Sequence, residues 1–182
     1  MSEQQNIVLI LGSGPRIGAG VASAFAASGY KVATVSRKGG AQDANSDNLS
    51  LKGDLSDPDS IPALFSQVQS HFGAAPNVVI FNSPSLTPPK DKDNLFSIDN
   101  SRVIFDLAVN TVSPYAAARE AVAAWNLSGA ADTRKKTFIY TGNAQNKVVI
   151  PVPLMLDLAM GKAASAAWIG VADALHKAKG IR

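Results

Sequence analysis

The apolar run Ile7–Leu11, followed at once by a glycine-bearing loop at residues 12–18, constrains this chain more than any other part of its sequence. An apolar run bounded by glycine is typical of a strand whose two faces are both covered in a parallel sheet. Beyond the loop, apolar residues recur at helical spacing until Gly29, which stands where a helix C-terminal cap belongs. The pattern predicts a strand, a loop and a helix, with loop N–H groups and the helix dipole facing an anion such as a pyrophosphate. Taken alone, the glycines also fit an ordinary tight turn.

Strand and helix patterns alternate along the rest of the chain. Further strands are predicted at residues 31–36, 49–55, 77–81 and 136–141. Further helices are predicted at residues 57–72, 99–126 and 156–179. This alternation predicts an α/β fold, a Rossmann-type doubly wound parallel sheet with right-handed crossovers and the strand order 3-2-1-4-5. We expect residues 1–182 to form a single domain, because 182 residues with 46% apolar content can bury one sizeable core.

The composition excludes several classes of site and partner. The chain has no cysteine, which rules out disulfides, thiolate catalysis and cysteine-based metal sites, and we predict no metal. The formal net charge of +3 is scattered and forms no basic run, so we predict no nucleic-acid partner. The apolar run near the N-terminus is too short for a signal or membrane helix. We therefore expect a soluble, cytoplasmic protein with no membrane partner.

The end of the predicted second strand carries a cluster of polar and basic residues, Ser36, Arg37 and Lys38. Folds of this type that are specific for NAD place a carboxylate about twenty residues beyond the glycine loop, where it holds the ribose 2′-OH. A carboxylate repels a 2′-phosphate, whereas two cations and a hydroxyl attract it. The sequence therefore predicts NADPH/NADP as the cofactor in preference to NADH. The alternative is that these residues form a solvated basic turn.

The glycine loop resembles the Gly-x-x-x-Gly-Ile-Gly signature of the short-chain dehydrogenase/reductase family. The cofactor-binding residues that this resemblance implies here are Gly12, Ser13, Gly14, Arg16, Ile17 and Gly18. Arg16 occupies the position of the middle glycine in the family signature. A basic side chain at that position can aim a charge-assisted hydrogen bond at an extra phosphate, which agrees with the preference for NADPH.

Two further segments resemble cofactor-binding parts of the family. Asp54 and Leu55 match its adenine-contacting pair of an aspartate and a hydrophobic residue, although Asp54 fits equally well as a cap of the next turn. The residues Asn82, Ser83 and Pro84 stand in place of its Asn-Asn-Ala-Gly segment. Of these, only Asn82 is retained from the family pattern, and we expect it to stabilise the sheet and line the cofactor cleft.

Two positions resemble the family's proton relay. Asn110 matches the asparagine that kinks the fourth helix and holds a water. Pro114 has no N–H for the Asn110 carbonyl four residues earlier, so this carbonyl oxygen is left free for a water. A purely structural kink is the alternative. Lys162 matches the lysine of the Tyr-x-x-x-Lys motif, which implies that it binds the nicotinamide ribose; an ordinary surface lysine is the alternative.

The catalytic tyrosine and serine of the family have no counterpart. Leu158 stands where the tyrosine is expected, and leucine has no proton to donate to a carbonyl oxygen. The serine is replaced by Asn143, or by Gly142 if the register slips by one residue; an asparagine still donates a hydrogen bond to a carbonyl. Thr141, at the end of the fifth strand, is assigned to the cofactor cleft. Tyr140, on the strand itself, is favoured as a core residue over a substitute acid.

The resemblance spans the whole chain but only part of a usual family member. The ending, residues 180–182, resembles the entry into the family's sixth strand, so we expect the remaining strands and the substrate lid to be missing. It implies a homodimer or homotetramer through the alanine-rich helices. Our first hypothesis is an NADPH-dependent reductase with an atypical site, in which Asn110, Asn143 and Lys162 act on a small-molecule carbonyl, imine or activated alkene. The second is a redox-inactive NADP(H)-binding sensor or scaffold.

Overall fold

A computed structural model describes residues 4–40 and 47–182. Five strands are present: β1 Ile7–Leu11, β2 Lys31–Ser36, β3 Asn48–Lys52, β4 Val78–Phe81 and β5 Thr137–Tyr140. The α-helices are α1 Ile17–Ala27, α2 Ile61–Phe72, α3 Asn100–Leu107, α4 Ser113–Ser128 and α5 Leu156–His176. Short 3₁₀ turns occur at Pro58–Ser60, Leu95–Ser97, Gly129–Ala131, Ala144–Asn146, Pro153–Met155 and Lys177–Lys179.

The five strands form one parallel sheet in the order β3-β2-β1-β4-β5, which confirms the predicted topology. Strand β1 lies at the centre, and Leu9 is level with Ala33 of β2 and Val79 of β4. Because all strands run the same way, the loops after β1, β2, β4 and β5 meet at one edge of the sheet. These loops carry most of the predicted site residues.

Two apolar layers cover the two faces of the sheet, as a doubly wound fold requires. Alternate residues of β1 point to opposite faces, so Leu9 packs in a cluster with α2 and α4, and Val8 packs beside Phe25 of α1. All five residues of β1 are fully buried, which explains why the sequence there is uninterrupted by polar residues. The indole of Trp125 extends the larger layer and donates a hydrogen bond to the Pro76 carbonyl oxygen at 2.8 Å.

The structure corrects two predicted elements. Strand β3 ends at Lys52, short of the predicted residue 55, because the chain turns at Asp54. The helix predicted at 99–126 is divided into α3 and α4 by a π-helix at Ala108–Val112, where the Ser113 N–H bonds to the Ala108 carbonyl five residues back. A π turn holds one more residue than an α turn and is how a helix absorbs the missing N–H of Pro114.

Residues beyond α5 return to the sheet. Ile181 pairs in parallel with Lys136, and the Phe138 N–H donates to the Arg182 carbonyl oxygen at 2.7 Å. The segment Pro153–Lys179 is long and apolar enough to cross a membrane by length and composition, with a mean hydropathy of 1.3. Its inward face carries Asp157 and Lys162, both buried against the rest of the protein. Length and composition are therefore weak evidence for a membrane span here.

Candidate cofactor-binding and active site

Two positions in the loop after β1, Gly12 and Gly18, have no room for a side chain. Gly12 has a φ of +102°, and a Cβ there would stand 2.7 Å from the backbone nitrogen of Ser83 in the loop after β4. A Cβ at Gly18 would stand 2.6 Å from Cα of Ser13, within the turn that enters α1. Both clashes are with backbone, which has little freedom to move. The glycines hold the loop against β4 and against its own helix.

Gly14 lies on the open side of the same loop, where a Cβ would meet nothing within 4 Å. Helix α1 begins after Arg16, which makes no side-chain cap, and no acidic residue lies in the first turn. The first N–H groups of a helix need acceptors, and an anion satisfies them. Ile17, in this turn, has 60% of its surface exposed although it is apolar. The open loop and the uncapped helix start fit the pyrophosphate of a dinucleotide.

The loop after β2 lies beside this turn. Ser13 is held to β2 by hydrogen bonds from its N–H and its hydroxyl to the Val35 carbonyl oxygen, at 2.9 and 3.2 Å. The Ser36 hydroxyl accepts a hydrogen bond from a backbone N–H three residues later, at 3.1 Å. The side chains of Arg37 and Lys38 are exposed, and neither has an ion pair or hydrogen bond with any other residue that the structure describes. Two cations are thus available beside the glycine loop.

Asp54 caps its own turn. Its Oδ1 accepts hydrogen bonds from the Ser56 N–H at 3.0 Å and from the Ser56 hydroxyl at 2.7 Å. The hydrogen bonds from Ser56, followed by the charge of Arg37, hold the pKa of this carboxyl below its usual range. The structure therefore shows the capping role that the sequence analysis left open. Leu55 is buried in the core.

Asn82 joins the loops after β1 and β4. Its side-chain amide donates a hydrogen bond to the Gly12 carbonyl oxygen at 3.0 Å, and its backbone N–H donates to Leu11 at 2.8 Å. Ser83, half-buried, and Pro84, exposed, continue this loop. The hydrogen bond from the Asn82 side chain explains how two loops from neighbouring strands stay so close that there is no room for a Cβ at Gly12.

Asn110 lies fully buried in the π-helix. Its carbonyl oxygen accepts hydrogen bonds from the Tyr140 hydroxyl and the Ser165 hydroxyl, both at 2.8 Å. Its side chain bonds to both backbone polar groups of Ser85, at 2.7 and 3.0 Å. The sequence analysis expected a water at this carbonyl; two hydroxyls take that place instead. The Ser165 hydroxyl reaches it because α5 packs closely at Gly161, where a Cβ would collide with Asn110, and the Tyr140 hydroxyl reaches it from the end of β5.

Lys162 is 5% exposed and reaches the end of β5. Its Nζ donates to the Thr141 carbonyl oxygen at 2.6 Å and stands 4.2 Å from the centre of the Tyr140 ring. Burial lowers the pKa of this amine to about 8, because the charged form loses its hydration. The lysine is therefore placed inside the protein, at the edge of the sheet where the loops meet.

Tyr140 is held in a core role. Burial raises the pKa of its hydroxyl to about 12, outweighing the opposing effect of Ser165. Its proton is already donated to Asn110, and an acid with so high a pKa is poorly matched to proton transfer near neutral pH. Leu158, four residues before Lys162, is buried and carries no proton to transfer.

Asn143 and Gln145 form a small amide network after β5. The Oδ1 of Asn143 accepts the Gln145 N–H at 3.0 Å, and its Nδ2 donates to the Gln145 Oε1 at 3.1 Å. Asn143 is exposed, whereas Gln145 is 4% exposed. The sequence analysis did not identify Gln145. The signal that could have found it is its position two residues after Asn143, which stands where the catalytic serine of the family is expected.

A buried pair of carboxyls also escaped the sequence analysis. Asp106 of α3 accepts a hydrogen bond from the Ser85 hydroxyl, and Asp157 of α5 accepts from the N–H groups of Thr87 and Leu158 at 2.9 and 2.7 Å. Both aspartates are fully buried. Burial, and then the neighbouring Asp106, raise the pKa of Asp157 to about 6. Burial opposes ionisation of Asp106 too, but bonds from Asp157 and Ser85 outweigh it and lower its pKa.

The geometry agrees with comparisons to known proteins. The chain is 39% identical to the short chain dehydrogenase/reductase dmxR12 of Cryptosporiopsis sp., over 97% of this chain and 73% of that protein. This chain belongs to the short-chain dehydrogenase/reductase family. No family model matches it.

Several solved structures have the same fold as this short-chain dehydrogenase/reductase. A Brucella melitensis 3-oxoacyl-[acyl-carrier protein] reductase in complex with NAD superposes with a TM-score of 0.80 at 21% identity, over 99% of this chain and 71% of that one. A 4-hydroxyisoleucine dehydrogenase complexed with NADH gives 0.79 at 17% identity, over 98% and 72%. A Serratia marcescens short-chain dehydrogenase/reductase gives 0.72 at 22% identity, over 91% and 68%.

In this short-chain dehydrogenase/reductase, the predicted residues fall into two groups. One surrounds the glycine loop, with Arg37 and Lys38 beside it. The other joins Asn110 to Lys162 through Tyr140, at the carboxyl end of β5. Asn143 follows β5, where its side-chain amide is hydrogen-bonded to Gln145. Its relationship to dmxR12 makes this chain an oxidoreductase of the short-chain dehydrogenase/reductase type.

Replacing Asp106 by asparagine is expected to flatten the pH dependence of stability. The native state holds a proton on Asp157 up to about pH 6, whereas the unfolded chain releases it near 3.8, so stability falls as the pH rises between these values. The Asp106→Asn amide removes one charge and offers a donor to Asp157. Urea unfolding at pH 4.5 and 7.5 should show a smaller difference than in the wild type, while the exposed Asp173→Asn variant should match the wild type. An unchanged difference in Asp106→Asn would contradict this account.

Proposed function

We propose that this short-chain dehydrogenase/reductase is an NADPH-dependent reductase with an atypical catalytic site. The observation that carries the proposal is that Arg37 and Lys38, two exposed cations that follow Ser36 at the carboxyl end of β2, have no ion pair within residues 4–40 and 47–182. A 2′-phosphate supplies the dianion that such a cluster attracts. The Brucella and 4-hydroxyisoleucine enzymes, bound to NAD and NADH, support a nicotinamide cofactor in general. The preference for its phosphorylated form rests on this chain's own residues.

The proposed cofactor-binding residues contact different parts of the dinucleotide. Backbone N–H groups of the loop after Ser13 and of the uncapped start of α1 bind the pyrophosphate, and Arg16 adds a positive charge at the same turn. Lys162 binds the nicotinamide ribose from the end of β5, beside Thr141. Its lowered pKa leaves it partly neutral near pH 8. When bound, the nicotinamide supplies the hydride that reduces the substrate.

Neither the residue at the position of the family's tyrosine nor the nearby Tyr140 supplies the proton for this reduction. Leu158 replaces the family tyrosine, and Tyr140 is committed to the Asn110 carbonyl with a raised pKa. A plain ketone needs a proton donor as the alkoxide forms, whereas a protonated imine brings its own proton and an activated alkene takes one from solvent. We therefore propose an imine or activated alkene in preference to a simple ketone. Asn143 keeps one amide hydrogen for a substrate oxygen.

A second candidate is a redox-inactive NADP(H)-binding protein. It is favoured by the same observation that argues against a ketone substrate: neither Leu158 nor Tyr140 is placed to donate a proton. The fold and the cofactor residues serve a binding protein equally well.

A titration and a turnover assay separate the two candidates. NADPH binding is measured by fluorescence, and NADPH oxidation is followed with cyclohexanone, 1-pyrroline and 2-cyclohexenone. We expect NADPH to bind and to be consumed faster with the imine or the enone than with the ketone. Lys162→Met should lower turnover about tenfold or more by misplacing the ribose, and the exposed Lys177→Met should not. Tight binding without consumption of NADPH on any substrate would reject the reductase and support the second candidate.

A further inference from the structure

Lys162 is a buried cation that has no carboxylate partner in the described ranges 4–40 and 47–182. Burial lowers the pKa of its amine, and no charged side chain among these residues contributes to that change. The buried carboxyls of α3 and α5, Asp106 and Asp157, are bonded to each other and to the loop after β4. A buried ammonium group is costly unless other groups compensate for its lost hydration.

Two groups at the end of β5 supply this compensation. The Nζ of Lys162 donates a hydrogen bond to the Thr141 carbonyl oxygen at 2.6 Å, and it lies 4.2 Å from the centre of the Tyr140 ring. The face of an aromatic ring carries partial negative charge and attracts a cation, most strongly where water is excluded. The ring of Tyr140 therefore favours the charged form of Lys162.

The hydroxyl of Tyr140 fixes the ring in this place. It donates a hydrogen bond at 2.8 Å to the carbonyl oxygen of Asn110, in the π turn between α3 and α4. Ser165, three residues beyond Lys162 on α5, donates to the same oxygen at 2.8 Å. One carbonyl thus joins the strand that carries the ring to the helix that carries the lysine, and this keeps the ring and the amine together.

We propose that Tyr140 is a positioning residue for Lys162: its ring takes the place of a counter-carboxylate, and its bond to Asn110 holds that ring against the ammonium group. A carboxylate would neutralise the lysine, whereas a ring stabilises the charge without cancelling it. The amine stays a cation with N–H donors beyond the one bonded to Thr141, which suits it to bind hydroxyls such as those of a ribose. That the ligand is the nicotinamide ribose rests on the proposed function; the contact between ring and amine does not.

The test is the pKa of Lys162 in nucleotide-free protein, measured by NMR on isotope-labelled lysine side chains. The Lys162 signal is assigned by its loss in Lys162→Met. Tyr140→Leu keeps apolar surroundings for the amine but removes the ring, so it should lower the pKa of Lys162 by about one unit. Tyr140→Phe keeps the ring and should lower this pKa by less than half as much.

Tyr115→Leu is the matched control, because Tyr115 is an exposed tyrosine of α4 whose ring contacts Trp168. It should leave the pKa of Lys162 unchanged. A pKa in Tyr140→Leu that equals or exceeds the wild-type value overturns the proposal. If Tyr140→Leu fails to fold, the wild-type spectrum at about pH 6, where both amines are protonated, decides the question. The Tyr140 ring current should move the ε-methylene protons of Lys162 upfield of those of the exposed Lys177, and an unshifted signal overturns the proposal.

A second readout connects this contact to the cofactor. The pH at which NADPH affinity has fallen by half should be about one unit lower in Tyr140→Leu than in the wild type, because a neutral amine makes weaker hydrogen bonds than a charged one. If the pKa of Lys162 falls but this pH does not move, the ring is confirmed as the partner of the amine, and the role of Lys162 in cofactor binding is rejected. The two failures are therefore distinct.

Discussion

The Arg37→Asp variant is expected to prefer NADH, whereas the wild type is expected to prefer NADPH. Arg37 is exposed at the carboxyl end of β2 and has no ion-pair partner among the residues that the structure describes. The substitution removes an attraction to the 2′-phosphate and adds a repulsion, while the new carboxylate accepts a hydrogen bond from the ribose 2′-OH of NADH. The weaker binding of NADPH and the tighter binding of NADH are each worth about tenfold, so the ratio of affinities should change about 100-fold.

The measurement is the ratio of NADPH to NADH dissociation constants, determined by fluorescence in the same buffer. Lys179→Asp is the matched control, because it makes the same change of charge on an exposed residue near the end of the chain. It should leave the ratio unchanged. Raising the ionic strength should reduce the wild-type preference, because the cations are exposed and salt screens them. A wild-type ratio near one would show that the cation cluster is a solvated turn and not a phosphate pocket.

The Gly12→Ala variant is expected to lose both stability and cofactor binding. Its φ of +102° is strained for alanine, and the new Cβ would stand 2.7 Å from the backbone nitrogen of Ser83. The loops after β1 and β4 would have to separate, which breaks the bond from Asn82 to the Gly12 carbonyl. Backbone strain and overpacking each cost about 1–3 kcal/mol, so the free energy of unfolding should fall by about 3 kcal/mol.

Thermal unfolding followed by circular dichroism measures this loss. A fall of about 3 kcal/mol corresponds to a decrease in Tm of about 6–12 °C for a chain of this size. Gly20→Ala is the control, because a Cβ there meets nothing within 4 Å on the surface of α1. Alanine is the better helix former, so this control should be as stable as the wild type or slightly more stable. A Gly12→Ala protein with the wild-type Tm would show that the two loops are not held together as described.

The strand order was predictable because the information for it is local. Buried runs such as Ile7–Leu11, alternating with helical periodicity, leave few topologies once crossovers must be right-handed. The glycine loop was predictable for the same reason, since a positive φ at Gly12 and a close approach at Gly18 each demand one residue type. The end of β3 was missed because the apolar residues of the strand pattern continue to Leu55, although the sequence had left Asp54 open as a cap of the next turn, which is the role that it takes with Ser56.

The polar network around the candidate site was not predictable in the same way. Pro114 indicates a freed carbonyl at Asn110, but the hydroxyls that occupy it come from Tyr140 and Ser165, on other elements. The pairing of Asp106 with Asp157 joins residues far apart in the chain, with no spacing rule to connect them. Such contacts depend on how closely two helices pack, and that distance is set by tertiary structure.

The π turn between α3 and α4 fits one extra residue into the helix without rotating one part relative to the other. Each residue of an α-helix advances the side-chain direction by about 100°, so an extra residue in an ordinary helix would rotate every side chain before it relative to those after it. The wider turn at Ala108–Val112 takes up that rotation locally, because it completes its turn with one more residue. The buried Asp106 and the core face of α4 therefore both face the interior of the protein, and the π turn preserves the side-chain register between the two helices.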